Sequence, residues 1–197
     1  GSFKEINKNI SIIKPVDLDL NKSYKKKVRN TRNRTGLEEA AISGVCTIGG
    51  INSLIIILDF GFLGGSMGLV VGDKISKTFA YASKNKLPVV SIISSGGKRI
   101  QEGLHSLSQM VKTVIASNGL LKNNIPHISL YTNPSGGQVY SSFASRSNIK
   151  LAEPGRIIGM SPLQEIIDVT KNKNSINVTA ENFYNKGLID RIVPRDK

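Results

Sequence analysis

One stretch limits the folds open to this chain more than any other. Between Pro88 and Leu121, a short apolar run, a turn rich in serine and glycine, and an amphipathic segment follow one another. The run at 89–93 predicts a buried strand, and residues 94–97 form the turn after it. Spacings of three and four then predict one apolar helix face, made of Ile100, Leu104, Leu107, Val111, Val114 and Ile115.

The glycine pair in this turn has two interpretations. The amides of Gly96 and Gly97 have no side chains in front of them, and a helix start adds unpaired N–H groups and a positive dipole end. Such a turn can hold a developing oxyanion, for example the enolate or tetrahedral oxygen of a thioester. The alternative is a tight strand-to-helix connection that needs glycine for its backbone angles. Taken alone, the turn favours the structural interpretation.

The rest of the chain predicts further units of the same kind. Residues 1–22 are predicted to be a polar arm, and residues 23–197 a single domain. Within that domain the patterns predict a helix at 23–32, a hairpin with strands at 45–48 and 53–60, helices at 73–85, 139–144, 163–169 and 180–185, strands at 128–131, 149–152, 156–159 and 187–193, and a polar loop at 171–177. Mostly short connections between strands and helices indicate an α/β fold with parallel pairing.

Charge is the strongest anomaly in the composition. The 197 residues carry a formal net charge of +13, and seven lysines and arginines without any acid lie within residues 22–34. Such a run can bind nucleic acid, an acidic partner or a phosphorylated ligand, and it can equally be a solvated helix face. The longest unbroken apolar run, residues 54–58, is far too short to span a bilayer, so we expect no membrane segment.

The cysteine and histidine content excludes several kinds of site. Cys46 is the only cysteine, so an internal disulfide and a cysteine zinc cluster are excluded and we expect no metal in this chain. A single cysteine also favours a reducing compartment, which predicts a cytoplasmic location. His105 and His127 lie outside any Ser-His-Asp or Cys-His pattern, and we expect both to be structural or surface residues.

A series of motifs connects these observations. From about Pro15 onwards the chain contains RTGL at 34–37, DFGFLGGSMG at 59–68, VVGDKI at 70–75, SGG at 95–97, RIQEG at 99–103, SL at 106–107, QM at 109–110, KT at 112–113, AEP at 152–154, KGLID at 186–190 and IVPR at 192–195. In order and spacing, the series resembles the β subunit of acetyl-CoA carboxylase carboxyltransferase of the bacterial or plastid type, within the crotonase/ClpP-like superfamily.

The resemblance implies a fold and an activity. The fold is the crotonase/ClpP-like spiral of ββα units, which is an α/β fold. The activity is that of a transferase subunit that binds acyl-CoA. With an α-type partner it transfers a carboxyl group from carboxybiotin, held on a biotin carrier protein, to acetyl-CoA. The product is malonyl-CoA, the precursor for fatty acid biosynthesis, and the assembly is a hetero-oligomer.

The resemblance also implies site residues. Gly96 and Gly97 are the backbone oxyanion donors, and catalysis relies on positioning and backbone amides without a side-chain nucleophile. The turn at 64–68 lets the pantetheine arm approach the backbone. The substrate-binding residues expected in this way are Gly64, Gly65, Ser66, Met67, Gly68, Lys98, Arg99, Gly136, Gly137 and Gln138, with Lys98 and Arg99 as candidates for the CoA phosphates.

The sequence departs from the family near the predicted site. Lys98 stands where the family usually has alanine, and Gln138 replaces the second glycine of the family's Thr-Thr-Gly-Gly-Val turn. Residues 160–164 replace the family's aromatic-Ala-Gly-Pro/Lys-Arg segment. The family's N-terminal four-cysteine zinc ribbon does not occur within these 197 residues, and the sequence leaves open whether one precedes them. The departures favour altered or lost chemistry over ordinary drift.

Two alternatives therefore stay open beside the carboxyltransferase. The first is a diverged crotonase-fold enzyme that decarboxylates, hydrolyses or otherwise processes a malonyl or acyl thioester, with an acyl carrier protein or polyketide synthase as partner. The second and least favoured is a non-catalytic scaffold that binds nucleic acid through residues 22–34.

Overall fold

The computed structural model describes residues 1–10, 21–161 and 178–195. Its elements are, in chain order, β1 (Lys4–Ile6), α1 (Lys22–Thr35), β2 (Ala41–Ile48), β3 (Ile51–Leu58), α2 (Leu69–Asn85), β4 (Val89–Ser95), α3 (Gly103–Lys122), β5 (His127–Gly136), α4 (Gly137–Tyr140), β6 (Ile149–Ala152), β7 (Ile158–Gly159), α5 (Ala180–Asn185) and β8 (Arg191–Ile192). Short 3-10 turns lie at Leu63–Gly65, Ile100–Glu102 and Ala144–Arg146.

The described strands form one mixed sheet. Its order is β1-β2-β3-β4-β5-β6-β8, and β7 pairs with β5. The two pairings at the β1 edge are antiparallel, whereas the pairings from β3 to β8 are parallel. Parallel strands end at the same edge of a sheet, so the turns after β4 and β5 become neighbours. The predicted α/β fold with parallel pairing is confirmed.

The antiparallel edge agrees with the hairpin predicted from the residue pattern. β2 and β3 pair along their full length, from Ala41 opposite Leu58 to Ile48 opposite Ile51. Gly49 and Gly50 make the turn with φ of +57° and +80°, the positive values that a two-residue hairpin loop requires. β1 extends this edge, so part of the predicted irregular arm is a strand.

Helix α3 buries the opposite face from the one its apolar periodicity marks. Its inward residues, which pack towards α2, are mainly small or polar, namely Ser106, Gln109, Thr113, Ser117 and Leu120. The hydroxyls of Ser106, Thr113 and Ser117 donate to carbonyls of α3 itself at 2.8–2.9 Å, so they can be buried without losing a hydrogen bond. The apolar residues consequently face outward: Leu104 is 77% exposed and Ile115 is 64% exposed.

Other element boundaries differ from the sequence predictions by a few residues. α2 begins at Leu69, ahead of the predicted start, and β5 continues to Gly136. The helix predicted at 139–144 is the single turn α4, and the last strand is confined to β8. The helix predicted at 163–169 and the loop predicted at 171–177 lie outside the described residues. Among the helices that the structure describes, none has the length and apolar character to cross a membrane.

His127 is a packing residue of the core, as expected. It is 2% exposed, and its ring meets Phe79 edge-on at 5.1 Å between centroids and stacks with Phe143 at 6.5 Å. Nε2 lies 2.8 Å from Ser91 Oγ, and Nδ1 has no partner among the described residues. Burial lowers the pKa of His127 to about 4, so the ring is neutral at physiological pH.

This buried histidine predicts a specific loss of stability in acid. The pKa of His127 is lower in the folded chain than in the unfolded chain, where it is about 6.5. The unfolded state therefore binds the extra proton as the pH falls from about 6.5 towards 4, and the free energy of unfolding decreases in that range. Urea titrations at pH 7 and pH 5 measure how much the free energy of unfolding decreases between the two pH values. The decrease should be about 2 kcal/mol larger in the wild type than in His127→Gln. Equal losses in the two proteins would contradict the assignment.

Candidate active site

Two glycine turns meet where β4 and β5 end. Ser95 pairs with Ser135 in parallel register, which brings the residues that follow each strand into contact. At Gly97 φ is +111°, and a Cβ there would lie 3.2 Å from the Cα of Gly137 and 3.4 Å from the backbone nitrogen of Gln138. Only glycine fits this backbone angle without strain. Because Gly97 has no side chain, its backbone packs directly beside Gly137 and the Gln138 nitrogen.

A third turn, residues 63–68, packs beneath the first. The Met67 amide donates to the Gly97 carbonyl at 2.8 Å, and the Arg99 amide donates back to the Met67 carbonyl at 3.1 Å. Ser95 Oγ donates to the Gly65 carbonyl at 2.7 Å. The structure thus brings together all three glycine-rich segments that the sequence singled out.

The two predicted oxyanion donors already have acceptors within the chain. The Gly96 amide donates to the Gly64 carbonyl at 2.9 Å, and the Gly97 amide donates to Ser95 Oγ at 3.1 Å. An N–H group that is bonded in this way cannot also point at a ligand oxygen without breaking its bond. In this structure both amides are bonded within the chain, so a donor role would require these bonds to yield to the ligand, and the role of Gly96 and Gly97 stays a prediction.

The start of α4 places one further backbone amide, that of Gln138, beside Gly97. The Gly137 amide donates to the Ser161 carbonyl at 3.0 Å. The first N–H groups of a helix have no acceptor within the helix, and Gln138 is the second residue of α4. Gly97 lies against that amide and has no side chain to cover it. The sequence analysis assigned Gly136, Gly137 and Gln138 to substrate binding without distinguishing this single group.

The Gln138 side chain is held away on α3. Its Nε2 donates to the carbonyls of Ser106 and Leu107. The side chain is 7% exposed, and Oε1 has no hydrogen-bond partner among the described residues. The replacement of glycine by glutamine therefore adds an anchor between α4 and α3.

Arg99 is part of the scaffold of the site. Its side chain is wholly buried and bonds both carboxylate oxygens of Glu39, at 2.6 and 2.7 Å, and the Ser66 carbonyl at 2.8 Å. Burial by itself lowers the pKa of Arg99, but Glu39 outweighs it and the pKa lies above its ordinary value. A guanidinium with these partners cannot reach a CoA phosphate, so the predicted phosphate contact of Arg99 does not fit the structure.

Glu102 completes this buried cluster. It accepts a hydrogen bond from the Tyr24 hydroxyl at 2.6 Å and one from the Leu69 amide at 2.6 Å, and it lies 3.5 Å from Arg99. A Cβ at Gly68 would be 2.5 Å from the Glu102 carboxylate oxygens, so glycine there admits the carboxylate. Burial raises the pKa of Tyr24, and its hydrogen bond to Glu102 acts in the same direction.

Two adjoining grooves lead from α1 to the third turn. The first has a volume of about 410 Å³ and the second about 430 Å³, and both are lined by Lys27, Thr31 and Arg34. Lys26 also lines the first, and Gly64 and Gln101 lie at the other end of the second. Lysine and arginine are the charged residues of both linings, which suits a ligand with anionic groups.

Of the remaining predicted residues, some lie at the surface or along the second groove and the others are buried in the protein. Gly64 borders the second groove, and Lys98 is exposed beside Gly97. Four residues of the 64–68 turn are buried, and their proposed contact with the substrate stays a prediction: Gly65, Ser66, Met67 and Gly68. Sequence reasoning did not single out Lys27 and Arg34, although their spacing of seven within the basic run places them on one helix face.

Metal binding receives no support from the described part of the chain. There, no group of three or more histidine, cysteine, aspartate or glutamate side chains is placed to hold an ion. The site is therefore built from backbone amides, carbonyls and cations.

The buried cluster predicts a large effect on stability. Arg99→Met leaves the Glu39 and Glu102 carboxylates buried without their cation, and removing one partner of a buried pair costs about 3–5 kcal/mol. Urea unfolding measures this loss. Arg195→Met is the matched control, because it removes a 2.6 Å pair with Glu153 whose arginine side chain is 74% exposed. Equal effects of the two substitutions would contradict the central role of Arg99.

Comparisons with known proteins agree with this architecture. The family described as the carboxyl transferase domain matches residues 8–196. The acetyl-coenzyme A carboxylase carboxyl transferase subunit beta of Methylacidiphilum infernorum is 42% identical over 196 residues, which cover 99% of this chain and 71% of that protein. Its counterpart from Rubrobacter xylanophilus is 38% identical over 196 residues, which cover 99% of this chain and 75% of that protein.

Solved structures share the fold. A transcarboxylase 12S structure with hydrolyzed methylmalonyl-coenzyme A bound has a TM-score of 0.80 at 24% identity, over 99% of this chain and 36% of that chain. The Pseudomonas malonate decarboxylase MdcD-MdcE hetero-dimer has a TM-score of 0.72 at 19% identity, over 98% of this chain and 74% of that chain. From the family match and the identities of its relatives, the chain belongs to the carboxyl transferase family, which confirms the resemblance found in its motifs.

Proposed function

We propose that this chain is the β-type subunit of an acetyl-CoA carboxylase carboxyltransferase, which binds acyl-CoA and makes malonyl-CoA with an α-type partner. The observation that carries the proposal is the backbone nitrogen of Gln138, which lies beside Gly97 where two parallel strands end. The names of the relatives from M. infernorum and R. xylanophilus support the same reaction.

In the proposed reaction the thioester carbonyl accepts a hydrogen bond from the Gln138 amide. When the thioester loses its α proton, negative charge moves to that oxygen, and a fixed N–H at a helix start stabilises it. Carboxybiotin held on a partner protein would supply the CO2 and the base for the α proton. Gly97 lets the carbonyl approach, and the α carbon of the thioester, having lost its proton, forms the new bond to CO2. The chain contributes position and electrostatics.

The groove along α1 is the proposed binding surface for the nucleotide end of CoA. Lys26, Lys27 and Arg34 offer positive charge for the phosphates, as suits a chain of net charge +13. Gly64 lies at the far end of the second groove and its carbonyl bonds to Gly96, so the groove ends at the glycine turns. A pantetheine arm that follows the groove would bring its thioester to Gln138.

The proposed assembly is a hetero-oligomer with an α-type subunit and a biotin carrier protein, in the cytoplasm or the plastid stroma. The malonate decarboxylase of the same fold is described as a hetero-dimer. This chain covers only 36% of the length of the transcarboxylase 12S chain, so that chain is long enough to contain a second unit of the same size. In the proposed assembly, this chain and the α-type subunit would supply two such units as separate chains.

Paired substitutions at Gln138 test the backbone donor. Gln138→Gly removes the side chain and keeps the N–H, whereas Gln138→Pro removes both and is tolerated in the first turn of a helix. In the complex with the α-type subunit, we expect Gln138→Gly to keep most of the kcat for malonyl-CoA formation. Because the loss of one oxyanion donor lowers kcat by about 10²–10³-fold, we expect a fall of that size in the kcat of Gln138→Pro. Equal rates in the two variants would exclude the donor.

Wild-type turnover of malonyl thioesters without biotin would favour the diverged enzyme instead.

Lys27 provides a separate test of the groove. Lys27→Glu should raise KM for acetyl-CoA about tenfold and leave kcat unchanged, because it replaces a phosphate contact with a like charge remote from the reacting atoms. Lys25→Glu is the matched control, since Lys25 is exposed on α1 outside both groove linings. Acetyl-pantetheine, which lacks the nucleotide, should show no difference among the three proteins. A similar rise in KM for Lys25→Glu would mean that net charge acts and the groove does not.

A further inference from the structure

The outward face of α3 is a continuous apolar surface. The α3 stripe consists of Ile100, in the 3-10 turn before the helix, and then Leu104, Leu107, Val111 and Ile115, which follow one another at helical spacing. Their exposed fractions are 72%, 77%, 44%, 59% and 64% respectively. Single exposed apolar residues are common on protein surfaces, but a contiguous row of this size marks an interaction site.

The composition of α3 supports a protein contact at this face. The inward side of the helix is the more polar side, with Ser106, Gln109, Thr113 and Ser117, so the usual distribution is reversed. The inward serines and threonine satisfy their hydroxyls within α3 and need no apolar neighbours. The apolar residues of the α3 stripe are thus left uncovered by the part of the chain that the structure describes.

Charge around the α3 stripe restricts the occupant. Residues 103–122 contain no aspartate or glutamate, and Lys98, Lys112 and Lys122 flank the stripe. Lys112 pairs with Asp73 of α2, but the whole chain has a net charge of +13. Two copies joined by this face would bring like charges together, which is unfavourable. A partner with an apolar surface and an acidic rim complements it.

The α3 stripe is continuous with the candidate active site. Ile100 follows the Gly97 turn after two residues, and the Gln138 side chain donates to the carbonyl of Leu107, a member of the stripe. A chain seated on the stripe therefore lies next to the segment that leads out of the Gly97 turn. That position allows a second chain to present a carboxyl donor to a thioester bound here.

We propose that the α3 stripe is the docking face for the α-type carboxyltransferase subunit, through an apolar surface with an acidic rim on that subunit. The inference rests on the proposed function, because that function requires the partner. It adds where the partner binds, and it explains why α3 carries its apolar residues outward. Apolar contact supplies most of the affinity, and the lysines around the stripe orient the partner.

Charge placed in the α3 stripe tests the proposal. Leu104→Glu and Val111→Glu introduce a good helix former at exposed positions, and Leu104 lies in the first turn, where an acid is favourable. Calorimetric titration with the purified α-type subunit of the same organism should give a Kd raised at least about tenfold for each variant and about a hundredfold for both together. Ile51→Glu is the matched control, because Ile51 is 62% exposed on the β2–β3 hairpin, and its Kd should equal that of the wild type. Circular dichroism melts confirm that the variants are folded.

The outcomes separate the docking face from the function. Wild-type affinity in the doubly substituted chain, or no binding of the α-type subunit by the wild type, overturns the proposal. Sedimentation that finds a wild-type dimer, converted to a monomer by Leu104→Glu, assigns the face to a second copy and also overturns it. An active complex that tolerates both substitutions rejects the docking face and keeps the proposed function. A complex that depends on the stripe but forms no malonyl-CoA supports the docking face and rejects the function.

Discussion

The buried pair of Arg99 and Glu39 is the interaction on which the site depends. The two residues are 60 positions apart in sequence, and together with Glu102 they join four segments of the chain. Glu39 precedes β2, and Arg99 follows β4. The Tyr24 hydroxyl of α1 and the Leu69 amide at the start of α2 both donate to Glu102. The Ser66 carbonyl accepts a hydrogen bond from Arg99. Buried charges are tolerated only when they are paired and hydrogen-bonded, so these segments are constrained together.

This constraint matters because the proposed chemistry uses the backbone. A backbone donor cannot be moved by choosing another rotamer, so its position depends on the rigidity of the turns around it. Bonds from Met67 to Gly97 and from Arg99 to Met67 hold the first turn against the buried cluster. Gly97 then faces Gln138 at a fixed separation. The site is thus supported by charged groups that do not touch the ligand themselves.

Helix α3 connects the site to the outside of the molecule. Its inner face packs towards α2 partly through hydroxyls that donate to carbonyls of α3 itself, and its carbonyls hold the Gln138 side chain. Its outer face carries the apolar residues. The same helix can therefore support the active site from within and receive a partner from without, which would couple assembly to the geometry around Gln138.

The sequence by itself determined the family, the α/β fold, the β2–β3 hairpin and the three glycine turns that meet at the site. These features depend on local requirements, such as glycine at positive φ and alternation of apolar residues, which are visible in neighbouring residues. Tertiary structure alone decided that the Gly96 amide is bonded to Gly64 and that the Gln138 nitrogen lies beside Gly97. It also decided that Arg99 is buried and that α3 turns its apolar face outward. Hydrogen-bond partners and the burial of a helix face depend on segments distant in sequence, and periodicity cannot specify them.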